Sequence, residues 1–440
     1  MRILPRKALA LALALVLPAA GGVVLAEAGQ DSRPEPAGPS LDTIRRFVEV
    51  YRLIKAAYVE EVSDEKLIEA AINGMLAGLD PHTGYLDADT LEVLTDDTLG
   101  AYDGLGVEVL SGEGVIQVMA AMPDSPAEAA GLRSGDFITH IDGTAVDRDN
   151  LEHAVRKLRG RPGTRVKLTI SRDGEDQPLQ VELTRARIRL TSVRGEVLEP
   201  GYGYVRVAQC QQETLGELRR RLGELERRHG PLRGLVLDLR GNPGGTLDSA
   251  VAISDLFLPE GRIVSVEGRL PETKISYDAR PGHPYESVPL ALLIDEGTAS
   301  AAEIIAAALQ AHGRAVVLGR RSYGKGSVQN VFALDPDHAV RLTTARYYTA
   351  DGRSIQAHGV HPDIVLAGLA LSGEVAWTAP VLVERDLPGH LPGSEETGAA
   401  VDAPAASDVA MSDYAVHQAL LVLKSQAILA RRNGSAPAKQ

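Results

Sequence analysis

The chain has 440 residues, enough for two to four domains, and at 44% hydrophobic and 24% charged it has the composition of a globular protein. A formal net charge of −13 excludes a nucleic-acid or anionic-membrane surface as the main binding face, since both demand a basic one. One cysteine, Cys210, excludes an intrachain disulfide, and 4% aromatics leave the core to aliphatic side chains.

Arg2, Arg6 and Lys7 precede the apolar run Ala8 to Leu17, which Pro18 breaks and small residues follow up to Ala26. This layout predicts a secretory signal peptide over 1–26 and hence a periplasmic or cell-envelope location; an uncleaved anchor is the alternative. Residues 27–40 are polar and proline-rich, as in a linker. Over 41–101 the spacing predicts an N-terminal helical region. One amphipathic helix carries Ile44, Phe47, Val48, Tyr51, Ile54 and Tyr58, and a second runs from Ser63 to Leu79 and stops at Asp80-Pro81.

Short strands and turns fill 102–186. Strands are predicted at Val115 to Val118, from Gly135, at Val166 to Ile170 and at Leu179 to Leu183. Helices are predicted at Pro126 to Leu132 and Asn150 to Leu158, and a turn at Asp142-Gly143. From 187 to 385 strand and helix alternate. Leu235 to Leu239, Leu290 to Ile294 and Ala315 to Leu318 are continuous apolar runs of the kind buried on both faces, which makes this an α/β core. Residues 386–411 are rich in Gly, Pro, Ala and acid and are expected to be flexible. A last helix is predicted over 412–440, with Leu420, Leu423 and Ala427 on one side, free to pack back or to reach another subunit.

Three segments carry candidate chemistry. In Asp295-Glu-Gly-Thr-Ala-Ser300-Ala-Ala-Glu303 a buried strand ends, a turn follows and a serine opens a helix. Unpaired N–H groups and partial positive charge gather at such a helix start, which suits a nucleophile with an oxyanion site but equally an ordinary N-cap. In Gly324-Lys325-Gly326 a lysine sits between glycines. Its ordinary pKa of about 10.4 forbids a base role unless burial lowers it, at a cost of about 4 kcal/mol for a pKa of 7–8. Gln329, four residues on, can hold a neutral amine; a solvated turn lysine is the bland alternative. Leu239-Arg-Gly-Asn-Pro-Gly244-Gly245 is a glycine-rich turn able to aim backbone N–H groups into a cavity, or simply a strand-to-helix connection.

Rivals are weaker. Gly319 to Lys325 matches the start of a phosphate-binding loop, but Gly326 stands where a magnesium-binding Ser or Thr belongs. No H-E-x-x-H or cysteine cluster supports zinc, so no metal or cofactor is expected. A distant Ser–His pair using His312 or His338 stays open. Cys210 reads as a buried strand residue.

Taken together, LDPHTGYLD (79–87), GLGV (104–107), DLRGNPGG (238–245), GTASAAEI (297–304), YGKGSVQ (323–329) and YYTADGRSIQAHGVHPDI (347–364) resemble the C-terminal processing peptidases, from about Leu41 to Val365. The resemblance implies a ClpP/crotonase-like α/β core with an inserted PDZ domain over 102–186 and flanking helical segments. It implies a catalytic Ser300–Lys325 dyad assisted by Gln329, with oxyanion donors at the backbone of Ala301 and of Gly244 or Gly245, Gly244 being preferred. Leu105, Gly106 and Val107 match the loop that holds a peptide's terminal carboxylate. It further implies protein substrates with apolar C-terminal tails, self-association through the terminal helices and a lipoprotein adaptor. Ala302, Thr298, Ala311 and Asp295 depart from residues common in the family. The alternative function is an inactive PDZ peptide-binding scaffold.

Overall fold

The computed structural model describes residues 38–112, 114–175, 177–269, 273–366 and 413–434. The expected signal peptide, most of the expected linker and the segment 386–411 lie outside the described residues. The chain divides into two compact units, residues 1–91 with 328–344, and residues 92–327 with 345–440. The strip 328–344, expected as part of the α/β core, thus groups with the N-terminal helices.

The chain begins with α1 (Leu41–Ala57), whose Ser40 side chain caps the Thr43 N–H, and α2 (Asp64–Ala77), capped in the same way by Ser63. Leu41, Ile44, Phe47, Val50 and Leu53 are exposed, and α1 buries no residue. Then come β1 (Gly84–Leu86), α3 (Ala88–Leu99) and β2 (Ala101–Gly104). The sequence reading missed α3. Its start is set by Asp87, whose carboxylate accepts the Thr90 N–H at 2.9 Å, and its mixed Thr, Val and Asp content gives a weak helical signal.

The strand-and-turn region forms one sheet with strand order β3-β4-β5-β7-β8 and β6 paired to β5. Its elements are β3 (Val107–Gly112), β4 (Val115–Ala121), the single turn α4 (Pro126–Ala129), β5 (Phe137–Ile141), β6 (Thr144–Ala145), α5 (Leu151–Leu158), β7 (Arg165–Ser171) and β8 (Leu179–Thr184). Asp142 and Gly143 both take positive φ, 49° and 78°, as a two-residue hairpin between β5 and β6 requires. Ile116, Val118, Ile138, Val166, Leu168 and Ile170 form its core. β9 (Ala186–Arg189) pairs antiparallel with β2, so a two-stranded ribbon brackets this insertion.

The α/β core follows. It comprises β10 (Val193–Glu199), β11 (Tyr202–Val207), α6 (Thr214–His229), β12 (Gly234–Asp238), α7 (Leu247–Asp255), β13 (Arg262–Gly268), β14 (Ile275–Asp278), β15 (Leu290–Ile294), α8 (Ala301–Ala311) and β16 (Ala315–Gly319). After these come β17 (Ser327–Ala333), β18 (Ala339–Tyr348), β19 (Ile364–Val365) and α9 (Tyr414–Gly434). The sheet order is β10-β11-β12-β15-β16-β19, parallel from β11 onward, with β12 and β15 buried at every residue. Helices cover both faces, which is why these strands read as unbroken apolar runs. α9 lays Val416, Ala419, Leu420 and Leu423 against Val236, Ala291 and Leu293 of this sheet, so the C-terminal helix packs back on its own chain. Residues 345–348 of β18 extend a second sheet through β13 and β14. In the other unit, β1 pairs with the start of β18, Leu86 opposite Ala339, and β17 pairs with β18.

Candidate active site

Ser300 sits between the end of β15 and the start of α8, with φ 53° and ψ −116°. This is a strained backbone for a residue with a Cβ and costs about 1–3 kcal/mol. Two neighbouring turns hold it there. The turn after β12 approaches so closely that a Cβ on Gly244 would lie 2.8 Å from Ser300 Cβ and 3.0 Å from Ala301 N. Asp295 Oδ1 accepts the Gly241 N–H at 2.8 Å, Thr298 Oγ1 donates to the Leu239 carbonyl at 2.8 Å, and Ala299 N–H donates to the Asn242 carbonyl at 2.9 Å. Asp295 and Thr298 therefore stitch the two turns together.

Asn242 decides which glycine N–H is spent. It is fully buried; its Nδ2 donates to the Val207 carbonyl at 2.9 Å, and its Oδ1 accepts the Gly244 N–H at 2.8 Å. The Gly244 N–H, preferred above as an oxyanion donor, is thus turned to a side chain. Gly245, at φ 143°, packs its Cα side against the Cys210 carbonyl, where a Cβ would come within 2.1 Å.

Glu303, fully buried in α8, draws the separate segments together. Its Oε2 accepts the Ser300 N–H at 2.8 Å and the Lys325 N–H at 2.8 Å. Its Oε1 accepts the Gly324 N–H at 2.7 Å and the Ser322 hydroxyl. Ser300 and Lys325, 25 residues apart in sequence, therefore share one carboxylate oxygen through their backbones. Ser322 in turn accepts the Val360 N–H at 2.6 Å. Lys325 is half-buried and stands in a loop between β16 and β17. A strand, not a helix, follows Gly-Lys, so the loop lacks the helix N-terminus on which a phosphate-binding loop depends.

Gln329 lies on β17 in the other unit. Its Nε2 donates to Thr343 Oγ1 at 3.2 Å, and Thr343 Oγ1 donates to Asp80 Oδ1 at 3.1 Å. His312, one of the two histidine rivals, caps the far end of α8 and binds the Arg262 carbonyl at 2.7 Å. The 11-residue helix between them puts it roughly 18 Å from Ser300 along the axis, out of reach of a proton transfer. The Cys210 thiol is fully buried, and burial pushes its pKa up to about 12 against a weaker pull from Asn242, so it is an inert packing group.

In the inserted region Leu105 is buried and Gly106 has φ 72°, where a Cβ would lie 2.3 Å from Ser125 Cβ. The Leu105 carbonyl accepts the Ala127 N–H and the Gly106 carbonyl accepts the Met122 N–H, which turns the loop over before the edge strand β3.

Residues 201–366 match the family model "Peptidase family S41", 117–172 match "PDZ domain", and 23–90 match "Activating protease CtpB N-terminal domain". The chain is 41% identical to the carboxy-terminal-processing protease of Bartonella bacilliformis over 80% of its length and 82% of that protein's. The chain belongs to peptidase family S41. It is also 34% identical to the carboxy-terminal processing protease CtpB of Bacillus subtilis, over 78% of this chain and 70% of that one. This S41 chain is a serine peptidase with an inserted PDZ domain. Glu303, Asn242 and Thr343 were not singled out from the sequence. An acid inside an otherwise apolar, alanine-rich helix start was the one available signal for Glu303.

Proposed function

We propose that this S41 peptidase cleaves proteins near apolar C-terminal tails by a Ser300–Lys325 dyad. Neutral Lys325 takes the proton of Ser300, whose oxygen attacks the scissile carbonyl; the amine leaves with that proton and an acyl-enzyme remains, which Lys325-activated water hydrolyses. Gln329 assists the lysine, as the family resemblance implies. The oxyanion takes the N–H of Ala301 and that of Gly245, in place of Gly244, whose N–H is engaged with Asn242. The observation that carries the reading is the single Glu303 oxygen shared by the Ser300 and Lys325 backbones. An inactive scaffold has no need of a strained serine tied to a lysine. The test is acylation by an activated peptide ester, followed by intact-protein mass. Ser300→Ala and Lys325→Ala should each abolish the adduct while the melting curve persists; full proteolysis by Lys325→Ala would overturn the dyad.

The PDZ domain, on this reading, adds a substrate tail as a strand along β3, with its carboxylate at Leu105, Gly106 and Val107. The protein works in the cell envelope after export through residues 1–26, with a lipoprotein adaptor recruiting its substrates. Self-association falls to α1, whose apolar face is exposed, because α9 is spent on its own core. Sedimentation of Phe47→Asp beside the wild type checks this: one species of equal mass in both would overturn it.

A further inference from the structure

The turn 239–245, which carries the proposed oxyanion donor, is tied to the core along its length. Asn242 grips the Val207 carbonyl, and its own carbonyl accepts the Ala299 N–H. Further on, the Gly244 carbonyl accepts the Cys210 N–H and the Cys210 carbonyl accepts the Thr246 N–H, both at 2.8 Å. At the entry, the Gly241 N–H goes to Asp295 and the Arg240 carbonyl accepts Arg206 Nη2 at 3.1 Å. The Arg240 side chain is tied from two sides. Its own N–H and Nε both donate to Asp238 Oδ1 at 2.9 Å, and Nη2 donates to Asp238 Oδ2 at 2.6 Å. The outer edge of the guanidinium meets Asp413, Nη2 to Oδ2 at 2.8 Å and Nη1 to Oδ1 at 3.3 Å. Asp413 directly precedes α9 and lies outside residues 201–366, which match the peptidase model. All of these groups belong to one compact unit.

Asp238 is fully buried, and a buried carboxylate must have its charge matched. Arg240 matches it. A guanidinium is a rigid planar fork, so a carboxylate on each edge fixes its plane. With Asp413 gone, the outer edge faces water and the fork can pivot on Asp238. The Arg240 backbone is bonded to the same Asp238 oxygen as Nε, so a pivot there shifts the first peptide of the turn. A misplacement of about 1 Å at a group that meets the transition state can cost about a hundredfold in rate, and smaller shifts cost less. We propose that Arg240 and Asp413 are positioning residues for the oxyanion site: the ion pair set by α9 holds the turn whose Gly245 N–H meets the oxyanion. The proposal rests on the acyl-enzyme reading with Gly245 as donor. Docking of α9 and full catalytic competence then become one event, and whatever lifts α9 slows the peptidase without touching Ser300 or Lys325.

Asp413 also caps α9 through the N–H groups of Ala415 and Val416, and the test must separate the two tasks. Asp413→Ser keeps a good cap and loses the ion pair. Arg240→Lys keeps a charge for Asp238 but has no fork to span two carboxylates. Four quantities are read on each protein: hydrogen exchange over 414–434, kcat and KM on one peptide, the amplitude of acylation by an activated ester, and the affinity of a peptide boronate, whose serine adduct carries the tetrahedral negative charge. Asp413→Ser should keep α9 protection and KM within about twofold and acylate fully, yet lose about five- to tenfold in kcat and as much in boronate affinity, the worth of one oriented hydrogen bond. Arg240→Lys should match it, and the double variant should lose no more than either. Wild-type kcat and boronate affinity in Asp413→Ser, losses that add in the double variant, or a fall in acylation amplitude that accounts for the lost rate would each overturn the proposal and leave the acyl-enzyme reading standing. Absence of any ester adduct on the wild type would instead remove that reading, and the proposal with it.

Discussion

At Ser300 the backbone is bent into a conformation that an ordinary N-cap does not need, and the carboxylate of Glu303 is what keeps it so. That carboxylate takes four donors, from Ser300, Ser322, Gly324 and Lys325. A glutamine at 303 offers one carbonyl oxygen and sets an NH2 against two of those donors. Glu303→Gln should therefore lower kcat by about a hundredfold and cost about 2–3 kcal/mol of stability, since buried donors lose an ionised acceptor. Kinetics and thermal unfolding on one preparation check it; a stability loss with kcat intact would show that Glu303 holds the fold but not the dyad. Ser300, Lys325 and Gln329 could be proposed from the sequence because glycines, a helix start and ordered family motifs surround them. Glu303 was not, because Ser-x-x-Glu at a helix start reads as a capping box, and only tertiary contact reveals that the same acid also binds Gly324 and Lys325. The engagement of the Gly244 N–H was equally hidden, since it hangs on the direction of the Asn242 side chain.

Among the elements, the apolar runs became β12, β15 and β16 because a strand covered on both faces needs no polar alternation. The docking of α9 was undecided because an apolar helix face does not name its partner. Charge names it. Arg240 binds the fully buried Asp238 through Nε and Nη2 and reaches Asp413 at 2.8 Å, and Asp413 Oδ1 also accepts the N–H groups of Ala415 and Val416 at the start of α9. Asp413→Ala removes a cap and half of a partly buried ion pair, so it should cost about 1–3 kcal/mol. It should raise hydrogen exchange over 414–434 well above that of β12; unchanged exchange there would mean the apolar face alone holds α9. Burial pushes the Asp413 pKa up, but Arg240 and the two backbone donors win, so the folded value lies below the ordinary one. A depressed folded pKa means the stabilisation is complete above the unfolded value and is lost as pH falls through the folded value. Exchange of α9 in the wild type should therefore rise only below about pH 4, and the Asp413→Ala protein should lack that step.

At the scale of the whole molecule, the proposed reading gives recognition to the insertion bracketed by β2 and β9 and chemistry to the α/β core. The run of short strands and turns at 102–186, with the family resemblance, made the insertion legible; the pairing of β2 with β9 was not, because their contact joins strands about eighty residues apart and neither carries a signal of its own. If the tail's carboxylate is held at Leu105, Gly106 and Val107, it is held equally before and during bond cleavage. Such uniform binding lowers KM and leaves kcat alone. A substrate with an amidated C-terminus should then show KM raised about ten- to a hundredfold, the worth of charge-assisted hydrogen bonds of about 1.5–3 kcal/mol, with kcat within about twofold. Gly106→Val should make the enzyme indifferent to amidation, because a side chain at φ 72° against Ser125 disrupts that loop. Steady-state kinetics of both substrates on both proteins decide it. A fall in kcat at constant KM would carry a different meaning: the tail would be acting on the Ser300–Lys325 geometry rather than tethering the chain, and the PDZ domain would be a switch instead of a hand.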